Sequence, residues 1–226
     1  TAEVASAAGA IVRRERRPGK GNVVRRMFAD IDADFYILSD GDLTYDAAAA
    51  GRRIEALVTE QVDMVVGVRD GAAGAFPVGH HFGNALFSRL VRGLFGTGFT
   101  DILSGYRVVS RRFAKSFPAT SSGFEIETEL SVHALDLRLA TMEIALPYGR
   151  RPAGSSSKLS NWRDGARILG KIVLMYKAVR PLSFFSALAG ILAIAGIALG
   201  LPVGTTYLET GLVPRQPTAI LAMGLG

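Results

Sequence analysis

Two carboxylates, Asp40 and Asp42, follow directly after the apolar segment FYILS at residues 35–39. One glycine separates them, so both side chains can turn toward one crevice and ligate a hard divalent cation, with positions left for phosphate oxygens. Such a cation would neutralise a diphosphate leaving group. An acidic turn without a metal is the alternative, but the position after a buried strand favours a metal site. Asp46 is predicted to cap the next helix.

A glycine-lined basic segment, PGKGN at residues 18–22, stands just before another predicted helix. Glycines let the backbone approach a phosphate, and a helix N-terminus with a lysine beside it attracts anions. Lys20 is therefore predicted to bind an anion. The arginines at positions 13, 14, 16 and 17 are interpreted as a solvated basic loop.

The segment DILSGYR at residues 101–107 combines a carboxylate, a hydroxyl, a glycine and a guanidinium. Ser104 and Arg107 could hold a phosphate, Arg107 through its planar fork. A turn that enters a strand explains the Ser-Gly pair equally well. His80 and His81 are interpreted as polar surface in preference to metal ligands.

Three glutamates, at positions 125, 127 and 129, begin a helix predicted over residues 124–137. Glu125 and Glu129 share a face because they are four residues apart. One of the three could enter the site as a base or an orienting group. The alternative is that they only favour the helix dipole.

The elements that must position these residues alternate along the chain. Short apolar or β-branched runs are predicted as strands at residues 10–15, 35–39, 64–68 and 106–109, and helices are predicted to start near Asn22, Asp46 and His80. This alternation predicts an α/β fold with a doubly wound, mostly parallel sheet. The opening TAEVASAAG is interpreted as the tail of a helix, so the first strand of the sheet is expected to be missing from this chain.

An uncharged apolar stretch at residues 182–201 is long enough to cross a bilayer as a helix. A buried core helix is the less favoured alternative. Basic residues are concentrated on its N-terminal side, at positions 158, 163, 167, 171, 177 and 180. The positive-inside rule therefore predicts a cytoplasmic soluble part at the cytoplasmic membrane.

Residues 162–180 have the pattern of a basic amphipathic helix on an anionic lipid surface, and an ordinary surface helix is the alternative. The loop at residues 149–159, GRRPAGSSSKL, is flexible, basic and rich in hydroxyls. It is interpreted as a lid over a lipid phosphate, with a disordered linker as the alternative. The predicted organisation is a sheet domain at 1–160, the amphipathic helix at 161–180, a transmembrane helix at 181–204, an external loop at 205–216 and the start of a second membrane helix at 217–226.

Composition limits the function further. Lys and Arg number 26 against 20 Asp and Glu, a net charge of +6 with a pI near 9.9, which favours anionic partners. No cysteine is present, which excludes a disulfide scaffold, a thiolate zinc site, an iron–sulfur cluster and a cysteine nucleophile. The basic residues are not interleaved with aromatic residues, so no nucleic-acid partner is expected. The oligomeric state stays open, and a homo-oligomer is compatible with the sequence.

Taken in order, these motifs resemble those of family 2 glycosyltransferases with the GT-A (Rossmann-like) fold. The resemblance is strongest to the polyprenyl-phosphate sugar transferases similar to dolichol-phosphate mannose synthase, and it runs from Thr1 to about Arg180. The matching residues are GKGN at 19–22, Asp40 and Asp42, Arg69, Asn84, Asp101 with SGYR at 104–107, GFEI at 123–126 with Glu129, and Arg151 with SKL at 157–159. Thr44 stands where some relatives have glutamine.

The resemblance implies inverting transfer of a sugar from a UDP- or GDP-sugar to a polyprenyl phosphate, dependent on Mg²⁺ or Mn²⁺ at Asp40 and Asp42. The implied roles are as follows: Lys20, Asp40 and Arg69 bind the donor; Ser104, Arg107, Arg151, Ser157 and Lys158 bind the acceptor phosphate; and Asp42, Asp101, Arg107 and Glu129 act in catalysis. Membrane lipids are the further partner.

The implied chemistry needs no strong general base, because a phosphate monoester is already an anionic nucleophile at neutral pH. Asp101 is therefore interpreted as a residue that orients the reactants, in preference to a catalytic base. Two alternatives remain: a membrane-anchored family 2 glycosyltransferase with a glycan or glycolipid acceptor, and a non-catalytic membrane-tethered module.

Overall fold

The computed structural model describes residues 2–42, 44–70, 78–147, 161–213 and 215–225, which form two compact units. The first, at residues 1–175, is called the sheet unit here, and the second, at 176–226, the helical unit. The helices are Ala2–Ala7 (α1), Lys20–Asp30 (α2), Ala50–Thr59 (α3), Val78–Phe95 (α4), Arg111–Ser116 (α5), Ile126–Asp136 (α6), Asn161–Val179 (α7), Pro181–Thr210 (α8) and Gln216–Leu225 (α9). A 3₁₀ turn covers Ala47–Ala49, and the strands are Phe35–Leu38 (β1), Met64–Asp70 (β2), Arg107–Ser110 (β3) and Thr141–Pro147 (β4).

The four strands form one sheet in the order β1-β3-β2-β4. Strand β2 runs parallel to β4, with Met64 opposite Thr141. Strand β3 runs antiparallel to both β1 and β2. The start of β3 therefore lies at the same edge as the carboxyl ends of β1 and β2.

Two expectations about the sheet need correction. The sheet is mixed, because the reversed strand β3 makes two of its three pairings antiparallel. The strand predicted at residues 10–15 is not formed, and Ile11 in that segment is 88% exposed. A short β-branched run forms a strand only where a neighbouring strand offers pairing and packing.

The core lies around β2 and β3, as expected for strands covered on both faces. Met64, Val65 and Val66 are completely buried, and so are Val108 and Val109. Gly67 is required in β2, because an added Cβ would collide with the side chain of Leu146. The predicted strands FYILS and MVVGV are thus confirmed as β1 and β2.

Local signals set several helix boundaries. Asp46 accepts a hydrogen bond from the Ala48 amide at 2.9 Å, which confirms its predicted capping role. The helix predicted at residues 162–180 is confirmed as α7. Its residues Ile168 and Ile172 are buried in the protein, whereas the apolar face was expected to lie on lipid.

The helical unit consists of the end of α7 with helices α8 and α9. Helix α8 is long and apolar enough to cross a membrane, and within the described residues it is the one helix of which this is true. Its C-terminal cap is Gly211, whose φ of 69° is a left-handed conformation that favours glycine. It extends to Thr210 rather than ending near residue 204, so the predicted external loop at 205–216 starts later than expected.

Candidate active site

A lysine stands between two acids at the edge where β1 and β2 end. Lys20 is the first residue of α2, and its Nζ lies 2.5 Å from Asp40 Oδ1 and 2.6 Å from Glu127 Oε1. Asp40 follows β1, and Glu127 comes from the first turn of α6. Gly105, just before β3, packs so closely that an added Cβ would collide with the Asp40 carboxylate. Four separate chain segments therefore meet at this point.

The charges of this cluster favour a protonated lysine. Burial opposes the charged form of Lys20, but Glu127 and Asp40 outweigh it and raise its pKa. Burial raises the pKa of Glu127, although the nearby Lys20 ammonium acts in the opposite direction. Glu127 is 5% exposed, and its Oε2 has no hydrogen-bond partner within the described part of the chain. The Asp40 side chain is 37% exposed and faces solvent more than its two neighbours do.

Asp40 and Asp42, the two predicted metal ligands, each make polar contacts with neighbouring side chains. Asp40 already holds one cation, the Lys20 ammonium, so its carboxylate is placed to bind positive charge. Asp42 Oδ1 accepts hydrogen bonds from Thr44, at 3.2 Å from the amide and 2.5 Å from the hydroxyl, which orients the carboxylate. No group of three or more His, Asp or Glu side chains that could hold a metal occurs among the described residues. Two carboxylates would leave coordination positions for phosphate oxygens.

Asp101 and Arg69 form a two-pronged ion pair at the end of β2. Arg69 Nε and Nη2 each donate to the Asp101 carboxylate at 2.7 Å. The same carboxylate accepts from the Leu103 amide at 3.2 Å, and Asp101 is 4% exposed. Such a pair is fixed in direction. This geometry directs the Arg69 guanidinium at Asp101. The binding of the donor by Arg69 and the orienting role of Asp101 stay predictions.

Arg107 and Ser104, predicted to bind a phosphate, are almost completely buried. Arg107 Nε donates to the Ser104 carbonyl at 3.0 Å, and its Nη2 donates to the Ile102 carbonyl at 2.8 Å. Burial lowers the pKa of Arg107 to about 10, so it stays charged at neutral pH. The Ser104 hydroxyl donates to the Gly67 carbonyl at 2.5 Å. Both side chains thus hold the turn before β3, and their contact with an acceptor phosphate stays a prediction.

Glu129, whose role in catalysis stays a prediction, holds a loop in this structure. Its carboxylate accepts from the amides of Thr120 and Ser121 at 2.9 and 2.8 Å, and it is 2% exposed. Burial opposes its ionisation, but these hydrogen bonds outweigh burial and lower its pKa. Glu125 likewise accepts from the amide of Gly123, at 3.0 Å. The glutamate that enters the charged cluster is Glu127.

Two residues of the site had only weak sequence signals. Glu127 was one of three helix-start glutamates, and nothing in its spacing marked it as the buried one. Tyr45 accepts a hydrogen bond from the Gly105 amide at 3.2 Å, and burial raises its pKa. Its position shortly after the acidic pair was the one available signal.

Three predicted acceptor-binding residues, Arg151, Ser157 and Lys158, lie outside the described residues, as do the side chains of His80 and His81.

Comparison with known proteins gives relatives over the whole chain. The sequence is 35% identical to the glycosyltransferase AglJ of Haloferax volcanii over 226 residues, which cover 99% of this chain and 74% of that protein. It is 28% identical to the low-salt glycan biosynthesis hexosyltransferase Agl6 of the same organism over 210 residues, 88% of this chain and 50% of that protein. No protein-family model matches.

A solved structure shares the fold. It is the crystal structure of glucosyl-3-phosphoglycerate synthase from Mycobacterium tuberculosis in complex with Mn²⁺, UDP and glucosyl-3-phosphoglycerate. The TM-score is 0.56 at 21% sequence identity, over 77% of this chain and 63% of that one. The chain thus spans somewhat less than two thirds of the length of that enzyme, and the likeness establishes a GT-A fold.

Proposed function

Because this chain belongs to the glycosyltransferases, we propose that it transfers a sugar from a UDP- or GDP-sugar to a polyprenyl phosphate at the cytoplasmic face of a membrane, with inversion at the anomeric carbon. The proposal covers the donor, the metal, the acceptor and the membrane face. Each is supported by a different part of the chain.

The observation that carries the proposal is the position of the Lys20 ammonium between the carboxylates of Asp40 and Glu127. Asp42 follows Asp40 by two positions in the sequence. A lysine held beside a solvent-facing carboxylate can bind a diphosphate once the carboxylate binds a metal. The site lies outside the carboxyl ends of β1 and β2, which is where ligands bind in α/β sheets of this kind. The GT-A relative with Mn²⁺ and UDP bound supports the same choice of ligand.

We assign Asp40 and Asp42 as the residues that would hold Mg²⁺ or Mn²⁺. The ion would neutralise the charge that develops on the departing nucleoside diphosphate. Lys20 would contribute a second positive charge on the same side. Asp101 and Arg69 would keep the loop before β3 in place, so that Gly105 packs against the Asp40 carboxylate. These residues would act mainly by orienting two anions and reducing their repulsion.

The acceptor is inferred from its chemistry and from the composition of the chain. A phosphate monoester is nucleophilic at neutral pH without a base, which agrees with the orienting role of Asp101. Helix α8 supports a lipid-linked acceptor, because an apolar helix of 30 residues is long enough to anchor the chain in a bilayer. Arg151, Ser157 and Lys158 are proposed to bind the acceptor phosphate. The basic residues before α8 favour a cytoplasmic sheet unit.

The test is sugar transfer by the full-length protein to a short polyprenyl phosphate, with UDP- and GDP-sugars, in Mn²⁺ and in EDTA. We expect product only with metal. The variant Asp42→Asn should lower the rate by about 10² or more, since one ligand charge is lost at the metal. Asp46→Asn is the matched control, because the Asp46 carboxylate accepts from the Ala48 amide as a helix cap and asparagine also caps helices.

Two results would count against the proposal. Metal-independent transfer, or equal rates for Asp42→Asn and Asp46→Asn, would remove the assigned metal site. Transfer to a glycan or glycolipid with none to polyprenyl phosphate would identify a different acceptor.

A further inference from the structure

The loop at residues 119–122 is held on one side by two charged side chains from different helices. Glu129 of α6 accepts from the amides of Thr120 and Ser121 and from the Thr120 hydroxyl. Lys171 of α7 donates to the same hydroxyl at 2.5 Å, and its Nζ lies 3.3 Å from Glu129 Oε1. Hydrogen bonds that involve a charged group are about twice as strong as neutral ones. The loop is therefore fastened to α7 as well as to α6.

The other side of the same loop is packed against the start of α2. The Gly21 amide donates to the Ser122 carbonyl at 3.0 Å, and Arg25 Nε donates to the Ala119 carbonyl at 2.7 Å. Neither Gly19 nor Gly21 has room for a side chain, since an added Cβ would collide with the carbonyl oxygens of the loop. These two glycines flank Lys20. A movement of the loop must therefore move the backbone that carries Lys20.

We propose that Lys171 and Glu129 are positioning residues, which set Lys20 against Asp40 through the loop at 119–122 and thereby tune the affinity for the nucleoside diphosphate part of the donor. The inference rests on the proposed function for its ligand. The two residues would act through a short series of direct contacts within the sheet unit, from Lys171 to Thr120 and from Ser122 to Gly21. Lys171 itself touches neither Asp40 nor Lys20 in this series.

The rest of α7 explains why Lys171 matters. Ile168 and Ile172 are buried, whereas Leu169, Val173 and Leu174 on the same helix are between 44% and 64% exposed. The packed face of α7 is therefore narrow, and Lys171 supplies its charged contact to Glu129. Removing that contact leaves the apolar packing of Ile168 and Ile172 at this part of the helix, and such packing is less specific in direction than a hydrogen bond. We expect α7 to stay folded while the loop loses its fixed position.

The experiment compares Lys171→Met with Arg163→Met in the full-length protein. Both variants remove one positive charge from α7, so any general attraction to anionic lipid falls equally. Arg163 is exposed. Lys171→Arg tests rescue by a conservative change, and Glu129→Gln tests the partner. The probes are UDP and GDP, each with Mn²⁺, and the readouts are the Kd for nucleotide, the donor KM and kcat, and hydrogen exchange at residues 19–22 and 119–122.

For Lys171→Met we expect the Kd and the donor KM to rise about threefold to tenfold, with a smaller change in kcat. Exchange should become faster at both segments. Arg163→Met should match the wild type, and Lys171→Arg should recover most of the loss. If Lys171 only stabilised the fold, its removal would not raise the donor KM while changing kcat less.

The inference is overturned if Lys171→Met speeds exchange at residues 119–122 but leaves 19–22 and the Kd unchanged. It is also overturned if Arg163→Met weakens nucleotide binding equally. Failure of the wild type to bind either nucleotide would instead refute the proposed function. In that case the exchange measurement still decides whether Lys171 holds the start of α2.

Discussion

Replacing Gly105 by alanine would put a methyl group against the charged cluster. An added Cβ would lie 2.9 Å from Asp40 Cγ and 3.0 Å from Lys20 Nζ, whereas ordinary contact begins near 3.4 Å. The two side chains must therefore retreat by about 0.5 Å, and the Asp40 oxygen next to the new methyl by more. Gly105 does not have a positive φ, so its backbone accepts alanine.

The expected result is a loss of activity larger than the loss of stability. The atoms that must move are the ends of two side chains, so the cost to folding should be about 1 kcal/mol. A misplacement of about 1 Å at a catalytic site costs about 10²-fold in rate. We therefore expect kcat/KM for sugar transfer to fall about 30-fold to 100-fold, or about 2–2.7 kcal/mol in the barrier.

The assay pairs transfer kinetics with thermal unfolding of the same preparations. Gly51→Ala is the control, because nothing lies within 4 Å of its added Cβ and it is exposed in α3. That variant should keep full activity and gain about 0.5–1 kcal/mol of stability. The reasoning is refuted if Gly105→Ala keeps kcat/KM within about threefold of the wild type.

Two further predictions concern ion pairs of the sheet unit. Asp101→Asn leaves Arg69 without its counter-charge, so stability should fall by about 3 kcal/mol and the unfolding midpoint by about 6–12 °C; an unchanged midpoint would contradict this. Burial opposes ionisation of Asp63, but hydrogen bonds led by Arg112 outweigh it and lower its pKa. The resulting stability is present above the ordinary aspartate pKa of about 4 and is lost as pH falls through the lowered value. The stability difference between wild type and Asp63→Asn should thus shrink below about pH 4, and a constant difference would argue against this origin.

Features with a local cause were predictable from the sequence. The apolar runs of β1 and β2, the cap at Asp46 and the two-faced pattern of α7 each depend on neighbours a few residues away. Asp40 and Lys20 were predicted as ligand-binding residues by two separate local signals, an acidic pair after a strand and a glycine-lined turn before a helix, and their direct contact was not predicted.

Features decided by distant contacts were not predictable. The direction of β3 depends on partners about 40 to 75 residues away in the chain. Arg107 is the clearest case at the site. Its planar fork was the ground for predicting a phosphate contact. The hydrogen bonds from its guanidinium to the carbonyls of Ile102 and Ser104 inside the fold were not predicted. Among three similar glutamates, only the packing of α6 selects Glu127.

The strand order has a consequence for how the protein is made. Strand β2 ends at Asp70, and both strands that pair with it, β3 and β4, are synthesised later. The last residue of β4 is Pro147, and at about 5–20 residues per second the ribosome needs about 4–15 s to make the intervening chain. Strand β3 can pair with β2 earlier in that time, but the edge of β2 that faces β4 waits unpaired, and unpaired apolar strand edges aggregate. Helix α8 follows β4 in the chain, so a second, longer apolar segment emerges soon after the sheet can close. A substitution that slows the pairing of β4 with β2 would therefore lower the yield of folded protein, even where the molecules that fold keep their activity.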